Sequence, residues 1–376
     1  MSIEKGMFVN FLCGQHKPPA AGYTKAKRER TIDMGNRLIR LDSGIVAAAS
    51  VVGKEEHAGP LGGVFDMHDE TDRFGADTWE RAESEMQRRA LGLLLNKADC
   101  REEEIDALFA GDLLNQCVAS AYGLMSYNIP YLGLYGACST SVEGLILAAM
   151  MHTGGFARRC AVVSSSHNCA AERQYRNPIE YGSQRAPTAQ WTVTGSGAFL
   201  VGDGGSVRIR GAMPGIVVEK GISDAANMGA AMAPAVLNTL VRYFSESGTS
   251  PSDYDLIVTG DLGYEGGAIL CELMLAEGYD IRNRYNDCGM MIYSRSTQDK
   301  HAGGSGCGCA SVVTASYLLP KLERGELRNI LLIATGAMMS PSSVMQGEAI
   351  PAVAHLVHLC TAYREKSGQV LSEKQR

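Results

Sequence analysis

The residues best placed to do chemistry form one turn of small side chains, Tyr135-Gly136-Ala137-Cys138-Ser139-Thr140-Ser141, between an apolar strand-like run and a helix-like run. Small residues let the backbone turn sharply. A helix starting just after the cysteine directs its positive N-terminal end at the sulfur, which predicts thiolate character and nucleophilic attack. A buried structural cysteine is the competing reading, because free cysteine also packs as a small hydrophobe. Other clusters of reactive residues suit chemistry less well. Cys307-Gly308-Cys309 has close thiols but no second pair nearby to complete a zinc site. His355 and His358, three apart on an expected strand, point to opposite faces. Asp66-Met67-His68-Asp69-Glu70-Thr71-Asp72 lacks the glycine and spacing of an EF-hand, and reads as an exposed loop near the pocket entrance. Gly202-Asp203-Gly204-Gly205 marks a turn between strands, since no lysine and helix follow as a phosphate loop requires.

The elements that position the cysteine turn occur twice. Ile105-Asp106-Ala107-Leu108-Phe109-Ala110-Gly111-Asp112-Leu113 matches Tyr254-Asp255-Leu256-Ile257-Val258-Thr259-Gly260-Asp261-Leu262. The helix from Gly136 to Met151 matches Gly306 to Leu319, and the strands 160–165 and 330–335 follow them. Nearly all-apolar strands after each helix predict a buried parallel sheet with right-handed crossovers. The expected fold is therefore α/β, two pseudo-symmetric halves in a layered α-β-α-β-α sandwich, residues 1–210 and 211–376. Residues 194–201 and 352–359 are further expected strands, and pockets form at the strand C-terminal ends near Cys138.

Composition narrows the function classes. A net charge of −6 argues against general nucleic-acid binding. Eleven cysteines, an odd number, without a secretory leader point to a reducing compartment, and no apolar run is long enough to span a bilayer. The expected protein is soluble, or at most peripheral to a membrane. From Lys17 to Arg40, seven basic residues stand against Glu29 and Asp33; this arm suits anionic lipid or an acidic partner, or is simply a solvated face.

The arrangement resembles the thiolase-like superfamily, in particular ketoacyl synthase-like condensing enzymes, over roughly residues 40 to 360. It does so through Gly136-Ala137-Cys138-Ser139, Gly195-Ser196-Gly197-Ala198 and Glu323-Arg324-Gly325-Glu326-Leu327-Arg328-Asn329-Ile330-Leu331-Leu332. Within it the chain is similar over nearly its whole length to the stage V sporulation protein AD family. That likeness rests on Trp79-Glu80-Arg81-Ala82-Glu83, Gly111-Asp112-Leu113-Leu114-Asn115-Gln116, the cysteine turn and Gly303-Gly304-Ser305-Gly306-Cys307-Gly308-Cys309.

The resemblance to condensing enzymes implies a His, and a second His or an Asn, beside the cysteine. The first position falls on Gly260, or on Asp261 if the register slips by one; the second lies in the 303–309 turn, which has neither residue. His301 lies upstream of those glycines. The scaffold is thus kept and the condensing reaction is expected to be lost, leaving Cys138 as a vestigial nucleophile, with no catalytic residues, no cofactor and no metal.

The resemblance to the sporulation family implies a different ligand, dipicolinic acid, with or without calcium. The implied role is uptake into the developing spore, as the soluble part of a membrane assembly with other stage V sporulation A-operon proteins, peripheral to the forespore or spore inner membrane. The fold resemblance to the thiolase-like superfamily implies a homodimer. Carboxylates of such a ligand would meet backbone N–H groups at the start of the Cys138 helix and in the glycine turn. The expected ligand-binding residues are Cys138, Ser139, Asp112, Asp261, Gly304, Ser305, His167, Arg176 and Arg185. The last two belong to a connection that also holds Arg173, Tyr175 and Tyr181, where arginine forks suit carboxylates and tyrosines suit a ring. Two other readings stay open: an acyltransferase acylated at Cys138, and a scaffold recruited through the basic arm.

Overall fold

The computed structural model describes residues 37–175 and 185–362. The basic arm up to Arg30, Arg176, Tyr181 and the chain beyond residue 362 lie outside the described residues.

Two halves repeat one order of elements. The first opens with β1 (Ile39–Gly53), α1 (Lys54–His57), β2 (Met67–Asp69) and α2 (Trp79–Lys97). It continues through β3 (Ala107–Gly111), α3 (Val118–Leu124), β4 (Tyr131–Gly133), α4 (Thr140–Thr153), β5 (Arg159–Ser166), α5 (Asn168–Tyr175), β6 (Trp191–Thr192) and β7 (Gly195–Gly202). The second opens with β8 (Val207–Met213), α6 (Met228–Ser247), β9 (Leu256–Thr259), α7 (Gly263–Ala276) and β10 (Tyr285–Asp287). It closes with α8 (Cys288–Ile292), β11 (Gly304–Ser305), α9 (Cys307–Val313), α10 (Leu319–Glu323), β12 (Asn329–Ala337), α11 (Pro341–Met345) and β13 (Ala352–Thr361). Residue 210 falls inside β8.

The strands follow the path β10-β9-β12-β13-β8-β1-β7-β5-β3-β4, which reads the same from either end when β9, β12, β13 and β8 are matched with β3, β5, β7 and β1. In each half the strands that flank a crossover helix are parallel, as in β3–β5 and β9–β12, and the last strand turns antiparallel. The fifteen-residue β1 joins the halves by pairing with β8 through its start and with β7 through its end. Register shifts at Arg40/Ser43 and Ile45/Ala47 bend it between the two.

Side chains alternate across the sheet and so build three apolar layers. Phe109, Val162, Phe199 and Val201 of the first half face a central layer with Ile330, Leu332 and Val357 of the second, packed on α4 and α9. Their neighbours Leu108, Ala161 and Leu200 face an outer layer against α2, whose Ala82, Met86, Ala90 and Leu94 recur at helical spacing. Leu331, Ile333 and Leu356 face the opposite outer layer against α6. Each fully buried aliphatic or aromatic side chain contributes about 1.5–3 kcal/mol to this arrangement. The result is the expected α-β-α-β-α sandwich, with α4 and α9 in the shared layer.

The helix ends follow local rules. Thr78 Oγ1 accepts the Arg81 N–H at 3.3 Å to start α2, Asn227 Oδ1 accepts the Ala230 N–H to start α6, and Gly248 at φ +71° ends α6.

Candidate functional site

The two halves meet where α4 and α9 begin, and Cys138 lies there. Ala137 takes φ +50°, a left-handed conformation that costs a non-glycine residue about 1–2 kcal/mol and turns the chain sharply into a short 3-10 turn. The end of β12 presses on this turn, so that a Cβ on Gly336 would lie 2.1 Å from the Gly136 carbonyl.

Cys138 is buried, and its Sγ lies 3.9 Å from Ser305 Oγ. Ser305 Oγ and the Gly306 N–H both donate to Asp261 Oδ2 at 3.1 Å, while Thr335 Oγ1 donates to Oδ1 at 2.5 Å. Gln190 Nε2 braces this corner through the carbonyls of Asp261 (2.6 Å) and Gly304 (3.0 Å). Gly306 has φ +105°, and a Cβ there would meet Ser166 Oγ at 2.5 Å, so only glycine brings its N–H to Asp261. Gly260 faces α9, where an added Cβ would meet that of Ala310 at 3.1 Å. Asp261 is therefore the residue that stands by the cysteine.

This geometry overturns the expected thiolate. Burial pushes the Cys138 thiol well above its usual range, and the Asp261 charge adds to the rise. The dipole of α4 does not offset this, because α4 starts only at Thr140 and the preceding donors are used: Ser139 N on Gly136 O, Thr140 N on Ala137 O. Burial raises Asp261 as well, against the donors of Thr335, Gly306 and Ser305. The glycine turn gives one backbone N–H, that of Gly306, to an anion, and that anion is the chain's own Asp261. Gly303 N is bonded to Lys300 O and Gly308 N to Ser166 Oγ.

A cavity of about 50 Å³ opens beside the sulfur. Cys138, Ser305 and Thr192 line it, as do Tyr135 and Tyr175, whose hydroxyls are 2.6 Å apart. Glu172 lines it too and accepts from Thr192 Oγ1 at 3.0 Å. Among the described residues, no lysine or arginine lines this space.

The other expected ligand residues are dispersed. Ser139 Oγ donates to the Gly136 carbonyl, and Gly304 supplies a carbonyl to Gln190 and a rung to the β6–β11 pair. Asp112, the symmetry mate of Asp261, turns into its own half and accepts from Leu114 N, Ser120 N and Ser120 Oγ. His167 Nε2 hydrogen-bonds the Asp72 carbonyl at 2.8 Å, its ring tilted against Trp79, and burial lowers its pKa. Arg185 lies over Trp191 and donates to the Asp299 carbonyl; Arg173 pairs with Glu80. His301 is turned away, to Ala186 O and Asp299. Residues 66–72 do not line the cavity: Met67–Asp69 is β2, paired in parallel with β1.

Sequence reasoning missed Thr335, Gln190 and Glu172. Thr335 ends the strand that repeats 160–165, so its matched position was a usable signal. Gln190 and Glu172 sit on irregular or short elements with no such cue.

Known proteins agree with this architecture. The solved 3-oxoacyl-[acyl-carrier-protein] synthase III from Aquifex aeolicus superposes with a TM-score of 0.51 at 14% identity, over 85% of this chain and 99% of its own. OleA from Xanthomonas campestris gives a TM-score of 0.53 at 15% identity, over 85% and 98%. At such identity these likenesses show the fold alone, which is thiolase-like. The Stage V sporulation protein AD of Bacillus subtilis (strain 168) is 42% identical over 310 residues, 82% of this chain and 91% of that protein. The family profile described as Stage V sporulation protein AD matches residues 34–360. With its thiolase-like fold and near-complete match, the chain belongs to the stage V sporulation protein AD family.

Proposed function

We propose that this protein binds dipicolinic acid beside Cys138 and supports its uptake into the developing spore without condensing activity. The observation that carries the reading is the carboxylate of Asp261, held by Ser305, Gly306 and Thr335 next to a protonated, buried thiol. Decarboxylative condensation needs a thiolate and donors aimed at developing negative charge. Here the sulfur faces an acid, so nucleophilic acyl chemistry is opposed at both steps.

The cavity wall also constrains the form of the ligand. Glu172 on the wall, and Asp261 behind the lining Ser305, repel a free dianion, whereas a calcium chelate of pyridine-2,6-dicarboxylate carries no net charge. We therefore assign the chelate as the bound species. A ring-sized ligand occupies a cavity on the order of 150 Å³, so the Tyr135–Tyr175 pair separates to admit it. The family relationship supports the sporulation role, and no helix of the described residues is long and apolar enough to cross a membrane. Membrane partners of the same operon would then complete the transport path at the forespore membrane.

A homodimer fits the edge of the sheet at β4. Tyr131 and Leu132 are exposed there, with Tyr122 and Met125 of the α3 region and Tyr135 beside them. An unpaired apolar edge strand is a template for a second copy.

Calorimetric titration with dipicolinic acid, with and without calcium, against isophthalic acid, which lacks the ring nitrogen, tests the reading. One saturable site per chain, seen with calcium and weaker for isophthalic acid, is expected. No heat with any form overturns binding by the isolated chain. A covalent acyl adduct on Cys138 followed by turnover would establish the acyltransferase instead.

A further inference from the structure

A second cluster, outside the cavity lining, carries a separate chemistry. We propose that His57, His68 and Glu70 form a binding site for a divalent metal ion of the zinc class. The site follows from the sheet. β2 pairs in parallel with the end of β1, His68 opposite Val52, and β1 runs straight into α1, whose last residue is His57. One short helix therefore carries His57 back over the strand that bears His68. The two imidazoles stack with centroids 3.5 Å apart and planes 4° from parallel. Glu70 Oε1 lies 2.9 Å from His68 Nε2, and one ligand atom from each of the three residues lies within 4.8 Å of the others.

Three features make this a ligand set rather than a chance surface contact. First, His57 Nδ1 lies 3.2 Å from the Gly62 carbonyl. A ring N–H donated to a carbonyl leaves Nε2 as the lone pair, and such a bond orients metal-bound histidines. That carbonyl is fixed: a Cβ on Gly62 would fall 1.7 Å from His57 O, so the loop folds tightly over α1. Second, nearby carboxylates are engaged elsewhere, Asp66 with Ser50 N and Lys97, Asp69 with Thr71, and Asp72 with Lys54 N. Glu70 alone among them turns to the histidines. Third, His68 and Glu70 are exposed while His57 is half-buried, so an ion reaches the site and keeps a position for water.

Two imidazoles and one carboxylate with an open fourth position suit Zn²⁺ rather than Ca²⁺ or Mg²⁺, which take oxygen ligands. Tetrahedral zinc holds its ligand atoms about 3.4 Å apart, and the two rings turn out of their parallel stack to aim their in-plane lone pairs at one ion. The ion takes the place of the hydrogen bond between His68 and Glu70, with the single His68 N–H on Nδ1 so that Nε2 offers its lone pair to the metal. Occupancy would clamp β2 to α1.

The test is competition for Zn²⁺ against a chromogenic chelator, with full-length wild type, His68→Ala and Glu70→Gln. Wild type should bind one Zn²⁺ per chain. His68→Ala, an exposed change that leaves the core alone, should weaken binding at least about 100-fold. Because the chain has eleven cysteines, Co²⁺ spectra supply a second readout, and a nitrogen–oxygen site gives no thiolate charge-transfer band. Absence of saturable binding at micromolar Zn²⁺, equal affinity in His68→Ala, or a thiolate band would each overturn the proposal.

Discussion

Replacing Asp261 by Asn should make Cys138 more reactive. Two contacts in series, Cys138 Sγ to Ser305 Oγ (3.9 Å) and Ser305 Oγ to Asp261 Oδ2 (3.1 Å), put the carboxylate within about 7 Å of the sulfur. At an effective dielectric near 20, a unit charge at that separation disfavours the thiolate by about 2 kcal/mol, or about 30-fold in thiolate fraction. A thiol with a lower pKa is also a weaker nucleophile, which leaves a net acceleration of about 6-fold. Asn keeps an acceptor for Ser305 and Gly306, so the turn should hold. The assay is the rate of methylthio transfer from a small methyl disulfide, which forms a mixed disulfide on the cysteine and expels a thiolate, read at the Cys138 peptide by mass spectrometry, because Cys169, Cys271 and Cys360 are more accessible. Thermal unfolding confirms that the variant is folded. A rate unchanged or slowed in a folded Asp261→Asn protein would mean that Asp261 places no charge beside the sulfur.

Three further outcomes are expected. Glu56, buried beside the Tyr293 hydroxyl with Thr194 N on its Oε1 at 3.0 Å, is raised by desolvation from 4.5 to about 7. Between those values the folded state holds the extra proton, so stability falls as pH rises from about 4.5 to 7, by up to about 3 kcal/mol, and then levels off. In urea unfolding, the stability of wild type minus that of Glu56→Gln should fall across this range; the subtraction cancels the like contribution of Asp287, which burial raises to about 7, and the opposite one of His355 and His358, which burial lowers to about 4. Gly336→Ala drives a methyl group into the Gly136 carbonyl and should cost about 1–3 kcal/mol, with faster modification of Cys138 as the turn loosens. Gln190→Ala removes the donor shared by the Asp261 and Gly304 carbonyls and should cost about 1–3 kcal/mol in the same unfolding assay, with the β6–β11 pair exchanging its amides faster.

The sequence by itself determined the duplicated scaffold. Strand and helix periods depend on neighbours along the chain, so the repeat of 105–113 in 254–262, and the apolar runs at 160–165 and 330–335, were enough to give a layered α/β sandwich with Cys138 at its centre. The turn at 202–205 and the strands at 195–202 and 352–361 were legible for the same reason. Tertiary structure alone decided what the cysteine is. Helix position argued for thiolate, but the sulfur's charge state depends on burial and on Asp261, 123 positions away in sequence. A one-residue register choice, Gly260 or Asp261, was settled only by the packing of Gly260 on α9. The glycine turn suggested N–H groups free for a ligand, yet the Gly306 N–H holds the chain's own Asp261, because β9 ends beside the turn. The histidines at 57 and 68 carried no spacing signal, because parallel pairing of β2 with β1, not their separation in sequence, brings the rings together. Local periodicity fixes elements; charge, desolvation and ligand geometry are set by contacts between residues far apart along the chain.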